Sequence, residues 1–152
     1  MNYNLLNPSA GMKLPADYPA QDYGNLISRA RANNIGTIGI RVLAGGALSG
    51  VETRHPLGMP NVDPIGSASS YSKDVARAVR FNEVVKRGYA QSHVEASIRY
   101  VISNPDLTTT LVGLSTLEQL DHAAQSAKKG PLPAEALELI KSIQQGFVGE
   151  SR

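Results

Sequence analysis

The residues whose types and spacing come nearest to chemistry lie in one stretch, Thr109-Thr110-Leu111-Val112-Gly113-Leu114-Ser115-Thr116-Leu117-Glu118-Gln119-Leu120. It reads as a short buried strand, a turn at Gly113 where the backbone must bend sharply, and the start of a helix. Ser115 followed by Glu118 has the spacing of a capping box, in which the hydroxyl accepts from one free N–H and the carboxylate reaches back to another. The helix carries Leu117, Leu120, Ala123, Ala124 and Ala127 and stops at Gly130-Pro131, with Lys128 and Lys129 in its last turn. Such a turn points unpaired N–H groups and a positive dipole end outward, which suits a phosphate. The same residues also fit an ordinary strand-to-helix connection, which is common in α/β chains.

Other chemistries find less support. The chain has no cysteine, which excludes disulfides, thiolate metal sites and a cysteine nucleophile. Its three histidines, His55, His93 and His122, share no ligand-like spacing with one another or with carboxylates, so no metal centre is expected. His55 reads as a solvated loop residue, and His93 and His122 as exposed helix residues. Arg41 is a charge inside an apolar run, which fits either a site role or a structural ion pair. Met12, Met59 and the tyrosines read as packing. The net charge of +2 is a small excess of 15 basic over 13 acidic residues. The longest basic clusters are the pairs Lys86-Arg87 and Lys128-Lys129, without interleaved aromatics, so nucleic-acid binding is not expected. No apolar run approaches the roughly 20 residues of a membrane helix and no signal-peptide pattern opens the chain, so a soluble, cytoplasmic protein is expected.

The elements that must position these residues alternate. A strand is expected at the N-terminus, ending in Tyr3-Asn4-Leu5-Leu6, and Asn7-Pro8 breaks it. A helix follows over 22–33, then a second buried strand over 37–43. The segment 44–71 is rich in Gly, Pro and Ser and reads as one long irregular loop, a length that is usually functional or disordered. Ser72 is expected to cap a helix to about Arg87 with Val75, Ala78, Val79 and Val85 inward. Ser92 and Glu95 form a second capping box ahead of the stripe Val94, Ile98, Val101 and Ile102. After the third strand and its helix, Pro133 opens a last amphipathic helix with Leu137, Ile140 and Ile143, ending at Gly146. This order implies an α/β fold with parallel strands, right-handed crossovers and a ligand edge at the strands' carboxyl ends. Three strands leave a parallel sheet with bare edges, so the chain reads as part of something larger.

Three blocks in sequence resemble the C-terminal portion of the aldo-keto reductases. Tyr3-Asn4-Leu5-Leu6-Asn7 resembles the end of that family's sixth barrel strand. Leu43-Ala44-Gly45-Gly46-Ala47-Leu48-Ser49-Gly50 resembles the end of the seventh, and Gly113-x-Ser115-x-x-x-Gln119-Leu120 the eighth strand with its following loop. The segment 92–105 is similar to the helix before strand eight. The resemblance implies a partial (β/α)8 TIM barrel: three parallel strands with flanking helices, one segment over 1–152, and 44–71 as a long loop on the cofactor side. It implies hydride transfer between a nicotinamide cofactor and a carbonyl or alcohol. Leu43, Ala44, Gly46 and Leu48 would lie along the pyrophosphate, and Gly113, Ser115 and Gln119 would meet the adenosine phosphate and adenine. Tyr3 and Asn4 would lie near the nicotinamide.

The departures from the family pattern matter as well. The asparagine that often follows the glutamine by four residues is Ala123 here, and 114–122 holds no lysine or arginine for a 2′-phosphate. Glu118 would repel one, so either NAD or NADP is implied with NAD slightly favoured. The family's catalytic Asp, Tyr, Lys and His come from the first half of the barrel, and no tyrosine of this chain sits in a matching motif. No catalytic residue is therefore assigned. The expected function is the cofactor-binding portion of an NAD(P)-dependent oxidoreductase. The alternatives are a non-catalytic nucleotide- or protein-binding module and a remnant of a truncated gene. The bare sheet edge makes self-association a further expectation.

Overall fold

A computed structural model of the chain describes residues 1–51, 53, 55–58 and 70–151. In chain order the elements are α1 (Leu26–Ala32), β1 (Ile38–Gly39), a 3-10 segment (Ala44–Ser49), α2 (Tyr71–Ala78), a 3-10 turn (Val79–Phe81), α3 (Asn82–Lys86), α4 (His93–Ile102), β2 (Thr109–Thr110), α5 (Leu117–Lys128) and α6 (Ala134–Gln145).

The parallel character expected from the alternation is present, in shorter form. β1 pairs with β2 in parallel, Ile38 opposite Thr109 and Gly39 opposite Thr110. The expected first strand contributes a single parallel bridge, Asn2 to Ile40. It goes no further because Asn4 turns the chain: its Oδ1 accepts from the N–H groups of Leu6 and Asn7, both at 2.9 Å. The expected strand over 37–43 likewise stops early, since Arg41 takes a left-handed backbone, φ 60°, and Ala44 donates back to its carbonyl.

One face of this small sheet is covered and the other is not. Alternation along β1 buries Thr37 and Gly39 on the covered face and leaves Ile38 and Ile40 on the opposite one, with Leu111 beside them in register. That opposite face is open: Ile38 is 51% exposed and Leu111 59%. On the closed side a core of Leu5, Leu6, Ile27, Val42, Leu48, Phe81, Val84, Val101, Ile140 and Phe147 is fully buried. Phe147 meets Phe81 and Tyr18 edge-on, ring centroids 5.9 and 6.3 Å apart.

The helix expected from Ser72 to Arg87 is broken and starts earlier. Ser70 is the cap, its Oγ accepting from Lys73 N–H at 3.3 Å. Tightening to three residues per turn at Val79–Phe81 lines up Ala78, Phe81 and Val84 on the core side and turns Val79, expected inward, out to solvent. The cap at Ser92 forms as expected, with Glu95 N–H donating to Ser92 Oγ at 3.0 Å, while the carboxylate expected to close the box is engaged elsewhere. The Glu95 carboxylate is buried between Arg99 Nη1 (3.0 Å) and Lys129 Nζ (2.6 Å), which ties α4 to the end of α5. Arg99 also donates to the carbonyls of Tyr89, Gly130 and Pro131. The last helix follows expectation, opening after Pro133 and ending before Gly146, with Ile140 buried and Leu137 and Ile143 half-buried. Its Gln144 donates to Leu5 carbonyl at 3.0 Å, a link across the core.

Candidate functional site

The parallel register brings the carboxyl ends of β1 and β2 side by side. Leu111 N–H donates to Gly39 carbonyl at 2.9 Å, so the segments after Ile40 and after Leu111 leave the sheet together. These are the two segments that carry the expected site residues.

After β1 the backbone passes through Arg41 (φ 60°), Ala44 (φ 48°), Gly45 (φ 67°) and Gly46 (φ 107°) before Gly50 (φ 82°) ends the 3-10 segment. The start of 44–71 is therefore a wound, ordered structure rather than the irregular loop expected. Its amides are largely committed: Ala44 N–H donates to Arg41 carbonyl, and Gly46 and Leu48 N–H both donate to Leu43 carbonyl. Ala44 and Leu48 are buried, while Leu43 and Gly46 are half-buried at the surface of the turn. Gly50 is favoured by its φ, and a Cβ there would be in ordinary contact with the His93 ring at 3.4 Å.

After β2, Gly113 is exposed and has an ordinary negative φ, and a Cβ placed on it would meet nothing within 4 Å. The turn does not require glycine; what glycine leaves there is open space. The cap is one residue later than the spacing suggested. Thr116, not Ser115, is the N-cap, its Oγ1 accepting from Gln119 N–H at 3.2 Å, and Gln119 Oε1 accepts from Ser115 N–H at 2.7 Å. Glu118 takes no part and is exposed in the first turn. Gln119 thus has a positioning role that the box at Ser115 and Glu118 would have assigned elsewhere.

The two segments meet at Gly58, where a Cβ would lie 3.8 Å from Ser115 Oγ. This one part of 44–71 therefore lies beside the turn after β2. The rest of the expected cover, 59–69 with Met59, lies outside the described residues.

Two expected neighbours of the nicotinamide are not available to it. Asn4 has no exposed surface and spends its amide on Arg41 carbonyl at 2.9 Å. Tyr3 is buried against Tyr100, ring centroids 5.6 Å apart. Burial, the leading cause, raises the phenols of Tyr3, Tyr18 and Tyr100, as it does for tyrosines packed in a core. His93, expected exposed, is half-buried: Nε2 meets Asn82 Oδ1 at 2.5 Å, Nδ1 has no partner among the described residues, and burial lowers its pKa. His55 and His122 are exposed as expected. Among the described residues no group of three or more histidines and carboxylates is placed to hold a metal ion. None of their helices is long and apolar enough to cross a membrane.

The model of the Aldo/keto reductase family matches residues 3–145. The chain belongs to the aldo/keto reductase family. Among solved structures it is similar to the glycerol dehydrogenase AKR11B4 from Gluconobacter oxydans, at 16% identity and a TM-score of 0.66. That match covers 99% of this chain and 43% of the dehydrogenase, so the aldo/keto reductase chain spans less than half the length of the protein it matches. The likeness is one of fold, that of the TIM-barrel family. No curated protein matches in sequence.

Proposed function

We propose that the chain is the nicotinamide-dinucleotide-binding, C-terminal portion of an aldo/keto reductase barrel, an oxidoreductase acting between a carbonyl and an alcohol. The observation that carries this reading is the convergence of two turns, 41–50 and 113–119, on one sheet edge, with Gly58 beside Ser115. This is where parallel α/β folds bind ligands. The residues fit a dinucleotide in shape: Gly113 leaves open space before a 12-residue helix, whose first turn is held by Thr116 and Gln119. In that reading Leu43, Gly46 and the surface of their turn lie along the pyrophosphate, and Ala44 and Leu48 hold the turn's shape from beneath. Gly113, Ser115 and Gln119 lie along the adenosine end. A bound nicotinamide would supply hydride transfer. This chain's part is to hold and orient the dinucleotide.

The open face supports the portion reading. Ile38, Ile40 and Leu111 are apolar residues on a parallel sheet that is normally covered. The family's proton donor would come from the remainder of such a barrel, so turnover by the 152 residues alone is not expected. The same face favours a second reading, a module that docks a protein through its bare edge.

Calorimetric titration of the purified chain with NADH, beside a carbonyl-reduction assay, tests the proposal. Binding without turnover supports it. Turnover would contradict the assignment of catalysis to missing residues, and no binding would leave the docking module as the better reading. Glu118 in the first turn of α5, with no lysine or arginine in 114–122, further predicts that NAD binds better than NADP. Tenfold tighter NADP binding, about 1.4 kcal/mol, would overturn that preference.

A further inference from the structure

We propose that Arg41 holds a phosphate of the bound dinucleotide, and that this is what an arginine does at a left-handed backbone position. The inference rests on the dinucleotide reading above and adds to it a positive charge beside the turn at 43–48.

Alternation along β1 makes Arg41 a helix-side residue, in line with Thr37 and Gly39, both buried. Continued as a strand, it would place a guanidinium in the core. The φ of 60° at Arg41 instead turns the side chain out to solvent at the carboxyl end of the strand. A residue with a Cβ is disfavoured in this region, which glycine or asparagine occupies more readily. The conformation is imposed from below. Arg41 carbonyl accepts from the buried Asn4 amide at 2.9 Å and from Ala44 N–H at 2.8 Å. The fold requires the backbone bend, but nothing in it requires arginine.

The charge is also unspent. Arg77, Arg80, Arg87 and Arg99 all pair with carboxylates, whereas Arg41 forms no ion pair among the described residues. Meanwhile the amides that a glycine-rich turn usually offers to a phosphate are taken: those of Ala44, Gly46 and Leu48 donate inside the turn. A dinucleotide laid along 43–48 would meet few free N–H groups there. Arg41, beside that turn and on the ligand edge, can bind phosphate oxygens with two parallel N–H donors.

The test separates strain from charge. Arg41→Asn suits the left-handed backbone and removes the guanidinium; Arg41→Lys keeps a positive charge. Binding of ADP-ribose and of adenosine is measured by calorimetry, and thermal unfolding by circular dichroism. For Arg41→Asn the melting temperature should hold or rise by up to about 4 °C. Its affinity for ADP-ribose should fall by about tenfold or more, and adenosine, which has no phosphate, should bind as it does to the parent chain. Arg41→Lys should retain part of the ADP-ribose affinity. Equal ADP-ribose binding by the parent chain and Arg41→Asn overturns the role of Arg41 alone. A large drop in melting temperature for both variants makes Arg41 structural and overturns it as well. Failure of the parent chain to bind ADP-ribose overturns the dinucleotide reading itself.

Discussion

Phe147 and Leu117 are both large apolar residues beside helices, yet Phe147 is 0% exposed and Leu117 is 79%. The difference follows from their neighbours. Phe147 lies just past α6, which packs on α3 and the 3-10 turn at Val79–Phe81, with Phe81 and Tyr18 against its ring edges and Arg80 5.0 Å from its centroid. Leu117 begins a helix whose apolar positions, Leu117, Leu120, Ala124 and Ala127, all face water, while Ala123 and Ser126 do the packing against α4. The stripe has the spacing of a buried helix face but is exposed. Like Ile38, Ile40 and Leu111, it is an apolar surface left open. The core around Phe147 is closed, whereas these apolar surfaces meet water.

That contrast is broken most sharply on the closed side. Phe147→Ala removes a ring from a site with no room to relax and should cost about 3–5 kcal/mol. Against the typical stability of a domain, about 5–15 kcal/mol, this should leave the chain largely unfolded or on the edge of it. Urea denaturation followed by circular dichroism measures the change. A loss below about 1 kcal/mol would mean that the closed side is no better packed than the open one.

The next largest effect belongs to Glu95. Burial alone would raise its carboxyl, but hydrogen bonds from Lys129 and Arg99, a backbone hydrogen bond and the Lys129 charge hold it below the ordinary 4.5. A carboxyl with a depressed folded-state pKa stabilises the fold above its unfolded value and loses that contribution as pH falls through the lower folded one. Glu95→Gln should therefore cost about 2 kcal/mol at neutral pH and flatten the stability profile below 4.5. Glu150, held down against burial by Arg80 and Arg77, should leave a smaller acid limb in that variant. An unchanged profile would show that the α4–α5 tie contributes nothing.

His93 gives a smaller effect at a different pH. Its lowered pKa, caused by burial, keeps it neutral in the fold, so stability is full above the ordinary value of 6.5 and declines as pH falls through the lower folded value. His93→Asn should remove this upper limb while leaving the one below 4.5. If the decline between 6.5 and 4.5 survives, its source is not His93.

How much of this is legible in sequence depends on how local each signal is. The cap at Ser92 is readable because it and the Glu95 N–H lie three residues apart, and the structure keeps it, though the Glu95 carboxylate turns to Arg99 and Lys129 instead. The box at Ser115 and Glu118 is off by one residue because Thr116 and Gln119 satisfy the same pattern, and only the backbone decides between them. Asn4 gives no local sign of its role, since its partner carbonyl belongs to Arg41, 37 residues on. The Glu95–Lys129 pair is similarly remote. Periodicity reads Leu117 and Leu120 as buried because it reports what a face is suited to, not what stands opposite it.

The smallest effect on stability should come from the open side itself. Leu117→Lys with Leu120→Lys changes two residues that are already largely in water, so the unfolding free energy should move by no more than about 0.5 kcal/mol. Association should respond instead, because an apolar stripe beside a bare parallel edge invites a second surface. Sedimentation velocity over rising concentration should show the parent chain self-associating and the double variant doing so less. A destabilisation near that of Phe147→Ala would place the stripe inside the core, and the two sides would cease to differ. Equal stability with unchanged association would leave the sheet edge at β2, rather than α5, as the surface through which the chain finds its partner.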